Sequence, residues 1–446
     1  MRLSIYNKIL DTNDENSYVL CNLLRGSTFI IDKEVKGILE NGDFEDLGSK
    51  KVKQFLDEGI LVSDEVDELE LARKAYENAL HDWSIIHFTV ATTYDCNLSC
   101  YYCYQSHQDF YAKSMSKETS EKTIKFIKNK VTENNSKALS ITLYGGEPLL
   151  NFNEGLRIIK DLHKWAMKSG KGFFVSACTN GTLLTKDVVD AIKKYSLVHP
   201  VFPTFIVTLD GPREIHDKIK FYKDARGSFD DIIKNLKIVK KAKLPFVIKF
   251  NLDHQNYEYA KDLVDDLASM GFEGDRIVTT IMKDVFTKVS NPKAEFPDIR
   301  DTLNFIIELE KYAIKKGLRV FHEAIGYNGV NCKNLTDSAY IIDPYGDLYK
   351  CWTLMGQQEY KIGTIDENGQ IQNYKPYLLS QRNIFAIPKC RKCPNLPICG
   401  GNCATFCYLT TGNPQSAICM PDSLVNHIVK VRARNNHPSK LSKLVY

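Results

Sequence analysis

Three cysteines, Cys96, Cys100 and Cys103, lie close together in the segment CNLSCYYC, directly after the apolar segment HFTVATTYD. Thiolates bind iron–sulfur clusters and structural zinc, and a cubane cluster normally takes four of them. Three thiolates leave one iron open, and an open coordination position is typical of a catalytic metal site. The spacing therefore indicates a cluster with an open iron, and a zinc knuckle with a distant fourth ligand is the alternative.

The next apolar segment, SITLYGG, ends in Gly145 and Gly146 and is followed by Glu147 and a proline. Adjacent glycines let a backbone approach a ligand closely, and Glu147 offers a carboxylate to an ammonium group. Two later segments end in Asn180, within TNGT, and in Asp210, within DGP. Both are candidate ligand contacts, and the alternative for each is a strand-end turn capped by the side chain.

A second set of cysteines occupies the region after residue 331, where apolar periodicity is weak and turn residues are common. A region with little regular core needs another source of stability, and metal sites supply it. Paired cysteines also suit zinc, so a double zinc ribbon is the alternative to iron–sulfur clusters. The set consists of Cys332, Cys351, Cys390, Cys393, Cys399, Cys403 and Cys419, with Cys407 undecided.

These groups need a scaffold, and between residues 85 and 285 six strand candidates alternate with helix-period segments. Such alternation predicts a parallel sheet with its site at the carboxyl ends of the strands. Six units are too few for a closed eight-stranded barrel, so the predicted fold class is α/β with an open partial (β/α)6 barrel. Ser228 and Asp231 predict a capping box for one helix. The strand candidates are HFTVATTYD, SITLYGG, FFVSACTNG, TFIVTLDG, FVIKFNLD and IVTTIMK.

Four regions are predicted along the chain. Residues 1–84 form a small α/β unit of short strands and helices, and residues 85–285 form the partial barrel. Residues 286–331 are a bridging region that contains one further helix. Residues 332–446 form the cysteine-rich C-terminal region.

Composition limits the class of protein. The formal net charge is +4 over 446 residues, which gives no case for nucleic acid or a membrane surface as partner. No apolar run is long enough to span a bilayer and the N-terminus lacks signal-peptide features, so a cytoplasmic location is expected. Cytosolic thiols stay reduced, which disfavours disulfides. Cys21 and Cys178 stand alone in apolar segments and are expected to be small buried core residues.

CxxxCxxC after the first barrel strand and GGEP after the second resemble the radical S-adenosylmethionine superfamily. The resemblance implies that S-adenosylmethionine chelates the open iron and is cleaved to a 5′-deoxyadenosyl radical, which abstracts a substrate hydrogen. It also assigns Gly145, Gly146 and Glu147 to the methionine amino group and the backbone of Tyr102 to the adenine. The TNGT and DGP segments are similar to further family motifs, which implies cofactor contacts there.

The C-terminal spacing resembles the seven-cysteine SPASM domain, with Gly346 at the expected interval. The resemblance implies two auxiliary [4Fe–4S] clusters, and hence three clusters in the whole chain. The first would be bound by Cys332, Cys351 and Cys403, one ligand short; Cys407, a substrate group or a non-cysteine ligand could complete it. The second would be bound by Cys390, Cys393, Cys399 and Cys419.

Enzymes of this type mostly act on peptides, and the N-terminal region resembles the small winged-helix-like domain with which peptide maturases bind a leader. That domain pairs its sheet edge with the precursor. The leading hypothesis is a maturase that forms a thioether in a ribosomally made peptide. Carbon–carbon or carbon–oxygen cross-linking and sulfatase-type formylglycine formation are alternatives, although Trp352 stands where sulfatase maturases carry an aspartate after Cys351. A non-enzymatic iron–sulfur or zinc protein is the alternative from another class.

Two partners are expected: the precursor peptide with its leader, and an external electron donor such as flavodoxin or ferredoxin. The sequence assigns no catalytic base. Tyr104, His107, Asp217 and Glu323 are polar residues in suitable places, but such a residue is more often part of a solvated loop.

Overall fold

Six parallel strands form the centre of the molecule, and they lie side by side in the order in which they follow one another along the chain. The computed structural model describes residues 1–103, 105, 114–197, 203–281, 299–321 and 328–436. All six strand candidates of the sequence are present. The strands are β6 (Ile85–Thr93), β8 (Ala138–Gly145), β9 (Gly172–Thr179), β10 (Phe205–Thr208), β12 (Phe246–Leu252) and β13 (Arg276–Ile281).

The crossover helices cover one face of this sheet. Alternate residues of β8, Leu139, Ile141 and Leu143, are fully buried against them. Side-chain caps start two of these helices, because Ser116 accepts from the Thr119 amide and Thr185 from the Val188 amide. The helices between the six strands are α4 (Lys117–Glu133), α5 (Phe152–Lys168), α6 (Lys186–Tyr195), α7 (Arg213–Ile219), α8 (Phe229–Lys241) and α9 (Ala260–Ser269).

The sheet extends beyond the six predicted strands at both edges. Strand β14 (Arg319–Val320) is parallel to β13, and β15 (Ala339–Ile342) is parallel to β6. Three further strands continue from β15 in antiparallel pairs, so eleven described strands form one mixed, open sheet. The α/β class is confirmed, and the curvature of a partial barrel stays a prediction. The added strands are β16 (Asp347–Tyr349), β17 (Gly363–Ile365) and β18 (Ile371–Gln372).

The N-terminal region contains two small sheets and three helices. A three-stranded antiparallel sheet is formed in the order β2–β3–β4, and Gly26, with φ of 76°, allows the turn between β3 and β4. Strands β1 and β5 pair with each other. The elements are β1 (Arg2–Leu3), β2 (Asn7–Asp11), β3 (Ser17–Asn22), β4 (Thr28–Asp32), β5 (Leu61–Val62), α1 (Lys33–Asn41), α2 (Ser49–Asp57) and α3 (Glu68–Leu80).

The C-terminal region is built from short elements, as its weak periodicity predicts, except for one long helix at its end. That helix packs against β2 and β3, so the C-terminal region contacts the N-terminal sheet. The remaining helices are α10 (Ile299–Lys315), α11 (Pro388–Arg391), α12 (Leu396–Cys399), α13 (Ala404–Thr411) and α14 (Asp422–Asn436). Short 3-10 turns occur at Phe44–Leu47, Pro148–Asn151, Tyr257–Tyr259, Lys333–Leu335, Gln358–Tyr360, Leu378–Gln381 and Ile384–Ala386.

The predicted capping box at the start of α8 is wrong. Ser228 precedes the helix, but its hydroxyl donates to the carbonyl of Lys220 instead of capping α8. The carboxylate of Asp217 takes that place, because its Oδ1 accepts from the amides of Ser228 and Phe229 at 2.8 and 2.9 Å. Asp217, which the sequence offered as a candidate base, therefore caps the start of α8. Among the described residues, no helix is long and apolar enough to cross a membrane.

Candidate functional site

A short pair of strands that the sequence did not predict holds the loop with the three cysteines. Strand β7 (Leu98–Cys100) lies inside the cysteine motif and pairs antiparallel with β11 (Lys220–Tyr222), with Cys100 opposite Lys220. The Cys103 amide donates to the Cys100 carbonyl at 3.1 Å, and the Cys96 sulfur accepts from the Leu98 amide at 3.4 Å. The loop is therefore shaped by backbone contacts before any ligand binds.

The two glycines before Glu147 pack on the backbone of the cysteine loop. The Gly146 amide donates to the Thr93 carbonyl at 2.9 Å, and the Glu147 amide donates to the Asp95 carbonyl at 2.8 Å. A Cβ atom at Gly145 would lie 2.1 Å from the Thr93 oxygen, and one at Gly146 would lie 2.3 Å from the Asp95 oxygen. Only glycine fits these positions, so the motif brings the ends of β6 and β8 together.

The Glu147 carboxylate is completely buried and joins the ends of β8 and β9. It accepts from the Leu149 amide at 3.0 Å, from the Asn180 amide at 2.7 Å and from the Thr179 hydroxyl at 2.8 and 2.9 Å. Burial raises the pKa of Glu147 to about 7, and these donors oppose the increase. The carboxylate thus has a structural function in addition to any contact with an ammonium group.

Asn180 connects the end of β9 to the cysteine loop. Its side-chain oxygen accepts from the Thr182 amide at 2.9 Å, which forms the strand-end turn expected as the alternative to a ligand contact. Its amide nitrogen donates to Asn97 at 2.8 Å and lies 3.7 Å from the Cys96 sulfur. Asn180 is therefore close to the first cysteine of the motif.

Asp210 belongs to a buried polar network beneath the cysteine loop. The Tyr102 hydroxyl donates to Asp210 Oδ2 at 2.5 Å, Lys220 Nζ lies 3.6 Å from the same oxygen, and the Asn251 amide donates to Oδ1 at 3.2 Å. Burial would lower the pKa of Lys220, but Asp210 and the nearby cysteine thiolates outweigh it and raise the pKa. The sequence analysis did not identify Lys220 as a site residue, because only the tertiary pairing of β7 with β11 places it opposite Cys100.

The C-terminal cysteines form two separate groups. Burial, followed by the neighbouring Cys403 and Cys351, raises the pKa of Cys332 to about 12. Burial likewise raises the pKa of Cys390 to about 11, here with contributions from the second group. The first group contains Cys332, Cys351 and Cys403, and the second contains Cys390, Cys393, Cys399 and Cys419. All thirteen cysteines lie in the described part of the chain, and none forms a disulfide bond.

Cys407, the undecided cysteine, is fully buried in α13. Its thiol donates to the Gly401 carbonyl at 3.4 Å and lies 3.8 Å from the Arg382 guanidinium. Cys351 instead accepts from the Thr405 hydroxyl at 3.3 Å. The Cys407 thiol therefore contacts Gly401 and Arg382, whereas the Cys351 thiol contacts Thr405.

The two isolated cysteines differ from each other. Cys21 is fully buried, as expected for a small core residue. Cys178 is only half-buried, because β9 alternates and Cys178 lies on the face opposite to the buried Ala177 and Thr179. The expectation of a buried core position is therefore wrong for Cys178. The base candidates Tyr104, His107 and Glu323 lie outside the described residues.

The donor set suits iron–sulfur clusters in composition, since each group consists of thiols with other thiols as neighbours. In the ranges that the structure describes, no three His, Cys, Asp or Glu side chains converge closely enough to chelate a single metal ion. The Tyr6 hydroxyl is buried and has no hydrogen-bond partner among the described atoms, and it lies in the same core as Cys390. Since buried hydroxyls are nearly always hydrogen-bonded, this suits a bound group that accepts hydrogen bonds. The assignment of ligands remains a proposal.

Comparison with known families defines the class of protein. Residues 90–267 match the family model for the radical SAM superfamily, a span that runs from β6 into α9 and contains the three-cysteine loop and Glu147. The chain therefore carries a radical SAM domain and is an enzyme. A radical SAM domain implies a [4Fe–4S] cluster and S-adenosylmethionine.

Individual relatives are distant but cover most of the chain. The radical SAM cyclopropyl synthase TigE of Paramaledivibacter caminithermalis is 23% identical in an alignment of 437 residues that covers 87% of this chain and 87% of TigE. The cysteine-type anaerobic sulfatase-maturating enzyme of Clostridium novyi is 24% identical and covers 69% of this chain and 85% of its own. Streptococcus suis SuiB, solved with its precursor peptide SuiA, shares the fold with a TM-score of 0.53 and 16% identity, over 93% of this chain and 98% of SuiB.

Proposed function

We propose that this protein is a radical SAM maturase that forms an intramolecular thioether in a ribosomally made precursor peptide. The observation that supports this most is a small antiparallel sheet with an open edge, attached to a radical SAM sheet and to two groups of cysteines. SuiB, with its bound precursor peptide, has a similar fold over nearly its whole length. The four regions at 1–84, 85–285, 286–331 and 332–446 then serve recognition, radical generation, bridging and electron transfer.

In this proposal Cys96, Cys100 and Cys103 bind the [4Fe–4S] cluster that the radical SAM domain implies. Gly145 and Gly146, together with Glu147, contact the amino group of S-adenosylmethionine. The backbone of Tyr102 contacts the adenine, and the side chains of Asn180 and Asp210 face the cofactor. When bound, the cluster and S-adenosylmethionine supply a 5′-deoxyadenosyl radical that abstracts a substrate hydrogen.

The chain's own residues prepare this site in three ways. The glycines let the cysteine loop lie directly on the end of β8. Glu147 and Asn180 tie three strand ends together, which fixes the spacing between the loop and the cofactor contacts. Lys220 provides a buried positive charge beside the thiolates and is itself held by Asp210. A site fixed in this way needs little reorganisation during the reaction.

Thioether formation removes two hydrogens from the peptide. One leaves as a hydrogen atom on 5′-deoxyadenosine, the thiol proton passes to water, and the remaining electron needs an acceptor. We assign that acceptor function to two auxiliary [4Fe–4S] clusters, with an external donor such as flavodoxin or ferredoxin supplying the first electron. Cys407, a substrate group or a non-cysteine ligand would complete the first of them. The ligands would be Cys332, Cys351 and Cys403 for one cluster and Cys390, Cys393, Cys399 and Cys419 for the other.

The edge of β4 is the proposed docking place for the leader of the precursor. Among the described strands, β4 pairs only with β3, whereas β2 is packed against α14. The Asn22 amide donates to the carbonyl of Ser27 directly opposite, so every second residue of β4 bonds to β3. The peptide groups of Thr28 and Ile30 therefore face the open edge, and the Ile30 side chain is 37% exposed. An extended peptide can pair with them.

Substitution of Ile30 tests this docking. Ile30→Pro removes an amide that faces the open edge and leaves the bonds between β3 and β4 in place. We expect leader affinity, measured by fluorescence anisotropy, to fall at least about tenfold, equivalent to about 1.4 kcal/mol. Ile30→Ala is the matched control, since it keeps the amide and should retain most of the affinity. Equal affinity in the proline variant and the wild type would exclude β4 as the docking strand.

The sulfatase-maturase alternative has support from the Clostridium novyi relative. The position after Cys351 opposes it, because Trp352 has no acidic group there. Its indole donates to the Thr89 hydroxyl at 3.1 Å, and its ring lies 4.8 Å from the Tyr144 ring. Carbon–carbon or carbon–oxygen cross-linking requires the same site and differs only in the precursor.

Mass spectrometry of a reconstituted reaction decides among these products. We expect anaerobic protein with about 12 irons, as for three cubane clusters, to convert a co-encoded cysteine-containing precursor into a product lighter by two hydrogens per bond. Iodoacetamide should no longer label the cysteine in the product. A product that loses two hydrogens and still alkylates would indicate a cross-link without sulfur, and conversion of cysteine to formylglycine would indicate the sulfatase-type reaction.

A further inference from the structure

The N-terminal sheet and the second C-terminal cysteine group share one hydrophobic core. On one side the core contains Tyr6, Val19 and Cys21, and on the other it contains Cys390 and Ile398. All five are buried. The two regions are far apart in sequence, so this contact is a tertiary interface rather than a consequence of connectivity.

A polar contact at the rim joins the same two regions. Lys8 Nζ lies 2.8 Å from Asp422 Oδ1, and Asn395 donates to the same oxygen at 2.7 Å. Asn395 lies between the second and third cysteines of the group, Cys393 and Cys399. The interface therefore combines an apolar centre with an ion pair at its rim.

Tyr6 is fixed in this interface and ends in a buried hydroxyl. The backbone of Tyr6 is hydrogen-bonded through both of its polar groups. Its amide donates to the Ser4 hydroxyl at 3.1 Å, and its carbonyl accepts from the Leu23 amide at 2.8 Å. The Tyr6 side chain is fully buried, and its hydroxyl has no hydrogen-bond partner among the described atoms. Buried hydroxyls are nearly always hydrogen-bonded, so a group absent from the protein chain is expected next to it.

The surroundings of the phenol point to one acceptor. Burial raises the pKa of Tyr6 to about 12, with Glu68, Asp67 and Cys393 contributing in that order. Both carboxylate oxygens of Glu68 already accept hydrogen bonds. Oε1 accepts from the Ser4 hydroxyl, and Oε2 accepts from the Arg2 guanidinium and the Ile5 amide. Asp67 uses Oδ1 to cap α3. The second cysteine group contributes Cys390 to the same core as the phenol, and a sulfur that binds iron accepts hydrogen bonds.

We propose that the Tyr6 hydroxyl donates a hydrogen bond to the iron–sulfur cluster held by the second cysteine group. The inference rests on the proposed function, because it requires a cluster at these four cysteines. Through this bond the N-terminal domain tunes a redox centre near the far end of the chain. A hydrogen bond to a cluster sulfur favours the reduced, more negative state, so Tyr6 raises the reduction potential. Tyr6 is thus a positioning and tuning residue that does not touch the substrate.

The test compares Tyr6→Phe with a matched control in the same core. Tyr76→Phe removes a hydroxyl from another buried tyrosine of this core, which Arg382 rather than Cys393 influences. Both changes are made in full-length protein with Cys96, Cys100 and Cys103 replaced by alanine, so that only the auxiliary centres contribute to the spectra. Redox titration monitored by electron paramagnetic resonance should show one auxiliary centre shifted to lower potential in Tyr6→Phe and no shift in Tyr76→Phe.

A second readout detects the proton itself. In deuterated buffer, the reduced centre of the wild type should show coupling to an exchangeable deuteron that is lost in Tyr6→Phe. Unchanged potential and unchanged coupling in Tyr6→Phe would overturn the proposed bond. An equal shift in the potentials of both auxiliary centres would indicate a general loss of packing in the protein and would also overturn it. Iron content that stays the same after replacement of Cys390 and Cys393 would instead contradict the proposed function, and the bond with it.

Discussion

At the scale of single residues, the glycines before Glu147 are required by the backbone on which they pack. We expect Gly146→Ala to displace the cysteine loop, because its Cβ would lie 2.3 Å from the Asp95 carbonyl oxygen. Displacement by about 1 Å can reduce a rate about 100-fold. Formation of 5′-deoxyadenosine should therefore fall by at least that factor, and iron content should fall by up to about four atoms per chain.

Gly37→Ala is the control for this prediction. Gly37 lies in α1, and a Cβ atom there would have no neighbour within 4 Å. Alanine is also the better helix former, so this variant should keep full iron and activity. If Gly146→Ala retained the wild-type rate of 5′-deoxyadenosine formation, the tight contact between the glycine and the loop would have no functional importance.

Glu147 allows its structural and cofactor-binding functions to be separated. Glu147→Gln replaces a carboxylate oxygen with an amide nitrogen, which cannot accept from the Asn180 or Leu149 amide. Thr179→Val removes one donor to the carboxylate and leaves its charge. If Glu147 contacts the ammonium group, affinity for S-adenosylmethionine, measured by equilibrium dialysis, should fall at least about tenfold more in Glu147→Gln than in Thr179→Val.

Thermal unfolding shows how much stability each variant loses, so that a loss of affinity caused by lower stability can be recognised. Each removes at least one buried hydrogen bond, and each should cost about 1–3 kcal/mol. Equal losses of affinity in both variants would mean that Glu147 acts only by joining β8 to β9. Unchanged affinity in Glu147→Gln would remove the residue from the cofactor site altogether.

At the scale of elements, the pairing of β7 with β11 depends on a buried charge. Lys220 is opposite Cys100 and balances Asp210 at 3.6 Å. Loss of one member of a buried ion pair typically costs about 3–5 kcal/mol, because the other charge stays buried. We expect Lys220→Met to lower the urea midpoint of the anaerobic holoenzyme accordingly and to release iron.

Two further variants test whether the charge pair is responsible. The double variant Lys220→Met with Asp210→Asn leaves no unpaired charge and should recover part of the lost stability. Lys186→Met removes a lysine from an exposed pair with Asp190 and should change the midpoint little. A double variant less stable than Lys220→Met alone would contradict the pairing argument.

The sequence predicted the elements whose pattern is local. Six apolar strands and the helices between them are confirmed. The sequence did not predict β7 and β11, because strands of three residues carry no periodic signal. Consequently Lys220 was missed, although Cys96, Glu147 and Asn180 were identified by their positions after predicted strands.

Errors at individual positions have the same cause. The capping box at Ser228 failed because Asp217, in another element, supplies the cap. Cys178 was expected in the core because its segment is apolar, but strand alternation turns it to the other face. Helix α14 and strand β15 were missed because the region after residue 331 was interpreted from its cysteines, whereas β15 continues the main sheet beside β6.

At the scale of the whole molecule, the C-terminal region holds the other parts together. It continues the central sheet through β15, and it shares a core with the N-terminal sheet through α12 and α14. Peptide recognition and electron transfer, if they take place where we propose, would therefore be mechanically linked. The order of the N-terminal sheet should depend on the second cysteine group and not on the first three cysteines.

Hydrogen–deuterium exchange tests this dependence. Replacing Cys399 and Cys419 by alanine should loosen the core formed with Leu10 and Val19, and amide exchange in β2 and β3 should rise at least about tenfold, or about 1.4 kcal/mol of local stability. Exchange in β8 and β9 should stay unchanged, because they belong to a different core. Alanine at all three cysteines of the CNLSCYYC loop is the control and should leave β2 and β3 protected. Protection of β2 and β3 in the Cys399 and Cys419 variant would show that the N-terminal sheet is held independently of the second cysteine group.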